Sequence, residues 1–202
     1  MSFDDSPRQE EPEAEDSPGL YRQAWFFYLI LASAGVIWLG SHHGRLSLDL
    51  FVDLKSWWID IALGLGAAFL LVGLWHAAKR FIPTTEQLEE RIRELIGPID
   101  ESEAFALALL SGFSEELLFR GAMQSSWGWI WATLIFGLMH TGPGREFRFW
   151  TVFAMVAGGL FAALTLYRGT ILAAIVAHIS VNAIHLRRMT LRPAQAEGSE
   201  ST

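Results

Sequence analysis

Six apolar stretches, separated by short polar connections, constrain this 202-residue chain more than any other feature. They run roughly over residues 23–40, 57–76, 103–125, 128–140, 149–167 and 170–186. About 20 apolar residues cross a bilayer as an α-helix, a form in which each backbone polar group is satisfied within its own segment. The expected fold is therefore all-α, a polytopic transmembrane helical bundle of about six spans. The fourth and sixth stretches are short for a full crossing, which implies tilting or completion by neighbouring loops. Composition agrees: 51% of residues are hydrophobic and mean hydropathy is +0.29, too apolar for an ordinary soluble domain. Tryptophans cluster near the ends of the apolar stretches, as interfacial anchors do.

The rest of the chain divides by punctuation and charge. Residues 1–20 hold Asp4, Asp5, Glu10, Glu11, Glu13, Glu15 and Asp16 among prolines, the composition of a disordered acidic tail. That tail lacks the basic leader of a cleaved signal, so the first apolar stretch reads as a retained helix. Residues 21–82 hold two spans. Residues 83–98 carry Leu88, Ile92, Leu95 and Ile96 at helical spacing among acids and arginines, between Pro83 and Gly97-Pro98. This is an amphipathic linker helix at the interface, or an extension of the third span. Residues 99–187 form a second, C-terminal core, and 188–202 a disordered tail. With both termini cytoplasmic, only Arg45, Lys55 and Arg168 fall outside and Arg120 within a span; every other Lys and Arg lies inside. That asymmetry supports an even number of spans. The absence of cysteine excludes disulfides, thiolate metal sites and a cysteine nucleophile. No basic cluster accompanies aromatics, so nucleic acid is not an expected partner; the lipid bilayer is.

Against this apolar background the pair Glu115-Glu116, followed by Arg120, is costly. Ionisable groups at membrane depth normally face a protein interior and mark a functional site. His140 and His178 each lie alone in a later apolar stretch. Counting 1.5 Å per residue from the expected turns, Glu115 and His140 both lie about 18–20 Å deep, with His178 at about 14 Å and Asn182 at about 20 Å. These groups therefore share one layer, in the cytoplasmic half. Glu116 and Arg120 are spaced i, i+4 for an ion pair, with Glu115 about 100° away and free to address a cavity. His178 and Asn182 share the same spacing. Gly137 allows close helix approach near His140, and Gly158-Gly159 the same in the fifth stretch. His42, His43, His76 and His185 read as solvated or interfacial, and Phe147, Phe149 and Trp150 as an interfacial belt.

Glu115-Glu116-Leu-Leu-Phe-Arg120 resembles the motif E-E-x-x-x-R, Phe136-Gly-Leu-Met-His140 the motif F-x-x-x-H, and His178-Ile-Ser-Val-Asn182 the motif H-x-x-x-N. In that order, on three spans, they resemble the CPBP family of intramembrane proteases, the CAAX-protease, bacteriocin-processing or Abi family. It includes the type II CAAX prenyl endopeptidase of eukaryotes. The resemblance covers about residues 100–186. It implies a helical catalytic core and hydrolysis of a peptide bond in a membrane-associated peptide or protein. It further implies that Glu115 is the general base, with His140 its partner in activating water. Glu116 and Arg120 would hold the first motif in place. His178 and Asn182 would bind the water or stabilise the oxyanion. Two chemistries fit. Glu115, His140 and His178 offer the N2O set of a catalytic zinc or similar divalent metal, and the same residues serve a metal-free glutamate protease. The short, cysteine-free, Ala/Gly/Arg-rich chain looks bacterial, which places it in an inner membrane. A non-catalytic scaffold or bacteriocin-immunity protein is the alternative, and a proton transporter a further one, though no inverted repeat supports it.

Overall fold

The computed structural model describes residues 20–43 and 47–190. The expected acidic tail, save Leu20, lies outside the described residues, as do Arg45 and the expected C-terminal tail beyond Thr190. Among the described residues there is no strand, and the fold is all-helical. The long first helix α1, Leu20–His43, is followed by a single turn, α2, Leu48–Phe51. Next come α3, Trp57–Phe81, and the amphipathic α4, Thr84–Ile96. Helix α5, Glu101–Glu116, then passes without a break into a π-helical segment, Leu117–Met123, and a closing turn, α6, Gln124–Trp127. Helices α7, Trp129–Leu138, α8, Arg145–Arg168, and α9, Leu172–Thr190, complete the bundle.

Three of these helices have the length and apolarity to cross a membrane: Tyr21–His42, Trp57–Phe81 and Arg145–Arg168. The other three expected spans correspond to the run from α5 to α6, to the 10-residue α7 and to α9. Each of these is shortened or carries the polar groups of the site. Helix α9 continues through Arg188 to Thr190, where a disordered tail was expected to begin. The linker helix is a separate element bounded by Pro83 and Gly97, not an extension of α5. It buries Leu88 and packs Ile92 on the core, while Leu95 faces outward.

The start of α5 is fixed by a capping box. Asp100 accepts from the Glu103 amide at 2.8 Å, and the Glu103 side chain accepts from the Asp100 amide at 2.9 Å. Bonds from the Ser102 hydroxyl and then the Glu103 amide hold Asp100 below the usual carboxylate range. The centre of the bundle is α9, which packs against both α3 and α5. Glycines make this possible. A Cβ on Gly112 would lie 2.6 Å from Ile179 Cγ1 and 3.0 Å from the Ile179 amide nitrogen, and one on Gly64 2.7 Å from the Ala173 carbonyl. Around these contacts the main core gathers Leu71, Trp75, Phe153, Phe161 and Ala177, while a second cluster joins Leu31 of α1 to Phe119 and Phe136.

At the end of the bundle opposite α4, Asp60 is fully buried and receives Arg168 Nε at 2.7 Å. Arg168 Nη2 also donates to Ser56 Oγ at 2.6 Å. This latch ties the start of α3 to the α8–α9 turn. Gly112→Ala is expected to force α5 from α9 and to destabilise the bundle by about 1–3 kcal/mol. Gly66→Ala, at a position with no atom within 4 Å, is expected to leave stability unchanged or raise it slightly. Thermal unfolding of the two variants in the same detergent checks the contrast.

Candidate active site

Glu115 and Glu116 are the last residues of α5, directly before the π-helical segment that holds Arg120. A π turn is wider than an α turn and recurs at functional sites. The expected ion pair forms across this wider turn: Arg120 Nε lies 3.2 Å from Glu116 Oε2, and both side chains are completely buried. Arg120 Nη2 also donates to the Gly158 carbonyl at 2.9 Å. Its guanidinium lies over the Phe136 ring, 4.4 Å from the centroid, an arrangement that favours a desolvated cation. Gly158 leaves the room for this. A Cβ there would lie 2.9 Å from Phe136 and 3.1 Å from Arg120 Nη2, whereas one on Gly159 would meet only Thr133 Cγ2 at 3.9 Å. Gly137 plays the same part where α7 meets Met155 of α8.

The second oxygen of Glu116 reaches across to α9, where His178 Nδ1 lies 2.7 Å from Oε1. His178 also stacks on Phe161, with the rings 5.1 Å apart. His140 sits in the turn after α7, and its Nδ1 lies 2.7 Å from the Phe136 carbonyl. Carboxylate and carbonyl oxygens are acceptors, so each imidazole carries its proton on Nδ1 and presents the Nε2 lone pair. Both lone pairs converge on Glu115. Its Oε2 is 3.8 Å from His140 Nε2 and 3.9 Å from His178 Nε2, and it is buried without a hydrogen-bond partner. These gaps exceed a hydrogen bond. Three acceptors facing one point are complementary to a proton donor or a cation.

The structure thus brings Glu115, Glu116, Arg120, His140 and His178 into one cluster. Asn182 turns aside: its Nδ2 donates to Ser111 Oγ of α5 at 2.9 Å, so one of its two N–H groups is committed to the α5–α9 contact. Tyr28 of α1, which sequence reasoning passed over, also reaches the site, where its buried phenol interacts with Glu115. A lone tyrosine in the first apolar stretch carries no spacing that relates it to residues 87 positions on. The belt of Phe147, Phe149 and Trp150 is corrected. Phe147 is buried, Phe149 packs on Trp75 at 5.5 Å, and Trp150 stands edge-on to His140 at 5.3 Å. A cavity of about 340 Å³ lined by Thr141, Gly142, Phe147 and Thr151 opens beside His140.

The chemistry of Glu115, His140 and His178 suits a divalent metal, since both histidines present Nε2 and are held through Nδ1 by an oxygen. Their spacing as it stands is wider than an ion requires. Zinc ligands at about 2.0 Å form a tetrahedron with edges of about 3.3 Å. Among the described residues no group of three such side chains is set to hold an ion.

A helical bundle with membrane-length apolar helices and a buried Glu–His cluster defines an integral membrane protein with the makings of a hydrolytic site. Residues 102–184 match the family described as type II CAAX prenyl endopeptidase Rce1-like, over the same stretch that holds the three motifs. That family is one of proteases, and all six candidate residues fall within the matched segment, which is less than half of the chain. Neither the curated proteins nor the solved structures give a match.

Removing one partner of a buried ion pair leaves the other charge uncompensated. Arg120→Met is expected to cost about 3–5 kcal/mol, and adding Glu116→Gln to recover part of that loss. Denaturation of the single and double variants in detergent measures both.

Proposed function

We propose that this chain is an intramembrane endopeptidase that hydrolyses a peptide bond near the cytoplasmic membrane face through water activated by Glu115 and His140. The supporting observation is the buried, unpartnered Glu115 Oε2 facing two Nε2 lone pairs at 3.8 and 3.9 Å. A water lodged among these acceptors donates its hydrogens to them and turns its oxygen lone pair outward. Glu115 then takes a proton as the oxygen attacks the carbonyl carbon of the scissile bond. The resulting oxyanion is met by the second N–H of Asn182, the first being fixed on Ser111. The proton held by Glu115 passes to the amide nitrogen as the C–N bond breaks, leaving a carboxylic acid and an amine.

In this reading the chain crosses the bilayer six times, with α5–α6, α7 and α9 completing the set begun by the three long apolar helices. Both termini face the cytoplasm, and the membrane is a bacterial inner membrane. The cavity beside His140 supplies the water. The substrate is a membrane-associated peptide or protein. A divalent metal enters this scheme only if Glu115, His140 and His178 close inward.

Purified protein is expected to cleave members of a membrane-peptide library, with Glu115→Gln at least about a hundredfold slower. His140→Phe is expected to fall by a similar factor. Cleavage unaffected by a chelator supports the metal-free scheme, and loss restored by zinc supports the closed N2O site. Cleavage that survives Glu115→Gln overturns the assignment. No cleavage by folded protein favours the scaffold or immunity reading.

A further inference from the structure

A second cavity lies away from the Glu–His cluster, where the ends of α3, α4 and α9 meet. It holds about 440 Å³. Helix α3 supplies Trp75, His76 and Lys79, α4 supplies Glu89, Glu90 and Arg93, and α9 supplies His185 and Arg188. In the proposed topology the amphipathic α4 places this cavity at headgroup level.

Two of its cations are already matched. Lys79 Nζ lies 2.6 Å from Glu89 Oε2, and Arg93 pairs with Glu90. Glu89 also accepts from Trp75 Nε1 at 2.8 Å. Arg188 differs: among the described residues it forms no ion pair with an acid, and its guanidinium instead donates to the His76 ring. His76 Nδ1 lies 2.6 Å from the Val72 carbonyl, so the ring is held as an Nδ1–H tautomer and accepts from Arg188 through Nε2. A neutral imidazole leaves the Arg188 charge uncompensated. Beside it, His185 packs its ring on Trp75 at 5.1 Å, and its Nε2 is buried without a partner. A buried polar atom without a partner is costly.

We infer that this cavity binds a phosphate-bearing anion, held by the Arg188 guanidinium and the His185 imidazole. An anionic oxygen group satisfies both unmet demands at once. It balances Arg188 through charge-assisted hydrogen bonds and accepts from His185 in its Nε2–H form. A basic pocket between helices at the cytoplasmic headgroup level is the setting in which anionic lipid headgroups bind. Free phosphate offers the same chemistry. Peptide-bond hydrolysis plays no part in this inference, which stands or falls separately from the proposed activity.

Native mass spectrometry of the full chain in detergent, with phosphatidylglycerol against phosphatidylcholine, tests it. A parallel thermal shift compares inorganic phosphate with chloride at equal ionic strength. The intact protein is expected to retain the anionic lipid about tenfold better than the zwitterionic one, with that preference lost in Arg188→Gln and in His185→Leu. A melting rise with inorganic phosphate, without lipid preference, supports the same site with a soluble ligand. The inference is overturned if neither lipid preference nor phosphate shift exists. It is also overturned if both persist undiminished in the two variants while their melting stays that of the intact protein.

Discussion

The structure depends on one carboxylate. Glu116 is fully buried and shared, one oxygen on Arg120 in its own helix and the other on His178 of α9. Taken alone, a charge so placed in an apolar bundle is prohibitive; paired with Arg120, whose guanidinium also rests on Phe136 and on the Gly158 carbonyl, it is neutralised and hydrogen-bonded. The arrangement ties α5, α8 and α9 together at one depth. Gly112, one helical turn before Glu116, lets α5 lie against Ile179 of α9 at the distance this bridge requires. The packing and the polar network therefore specify the same geometry, and neither is sufficient without the other.

That bridge also decides which face of His178 is chemically available. Because Glu116 takes Nδ1, only Nε2 can address Glu115, and the Phe136 carbonyl imposes the same choice on His140. Two imidazoles, one from the turn after α7 and one from α9, thus turn matching lone pairs to one oxygen. The adjacent acids divide the work accordingly. Glu116 sets orientation, with Oε1 on His178 and Oε2 ion-paired to Arg120, while Glu115 Oε2 faces only the two imidazoles. A tandem acid pair is needed because one carboxylate cannot fill both positions.

Much of this was legible in the sequence because helices make spacing into geometry. The i, i+4 separation of Glu116 and Arg120, and the equal distances of Glu115 and His140 from a turn, pointed to a pair and to a layer, and the structure contains both. What escaped was set by tertiary contact. Nothing local marks Leu117–Met123 as π-helical, since its residues suit an α-helix equally well. Asn182 shares a face with His178 by spacing, yet Ser111 draws it to α5. His185 read as interfacial by position, but α3 and α4 fold over it and close off its Nε2. The spans were blurred for a related reason. The helices that carry the polar groups are those whose hydropathy the polar groups lower, so composition alone picks out the three that frame the site.

The framing helices contribute more than a wall. The matched family segment begins at residue 102, yet three of its features are completed by residues before it. Gly64 of α3 accepts the other face of α9, Asp60 neutralises Arg168 at the α8–α9 turn, and Tyr28 of α1 brings its phenol to Glu115. Arg168 and Thr170 immediately precede α9, so the Asp60 latch fixes where that helix starts and, through a rigid rise of 1.5 Å per residue, the depth at which His178 arrives. The first helices therefore set the height of His178 from the far end of the bundle and bring a phenol to the carboxylate it faces. In physical terms the site is a product of the whole helical bundle, with the three motifs marking only the side chains that converge within it.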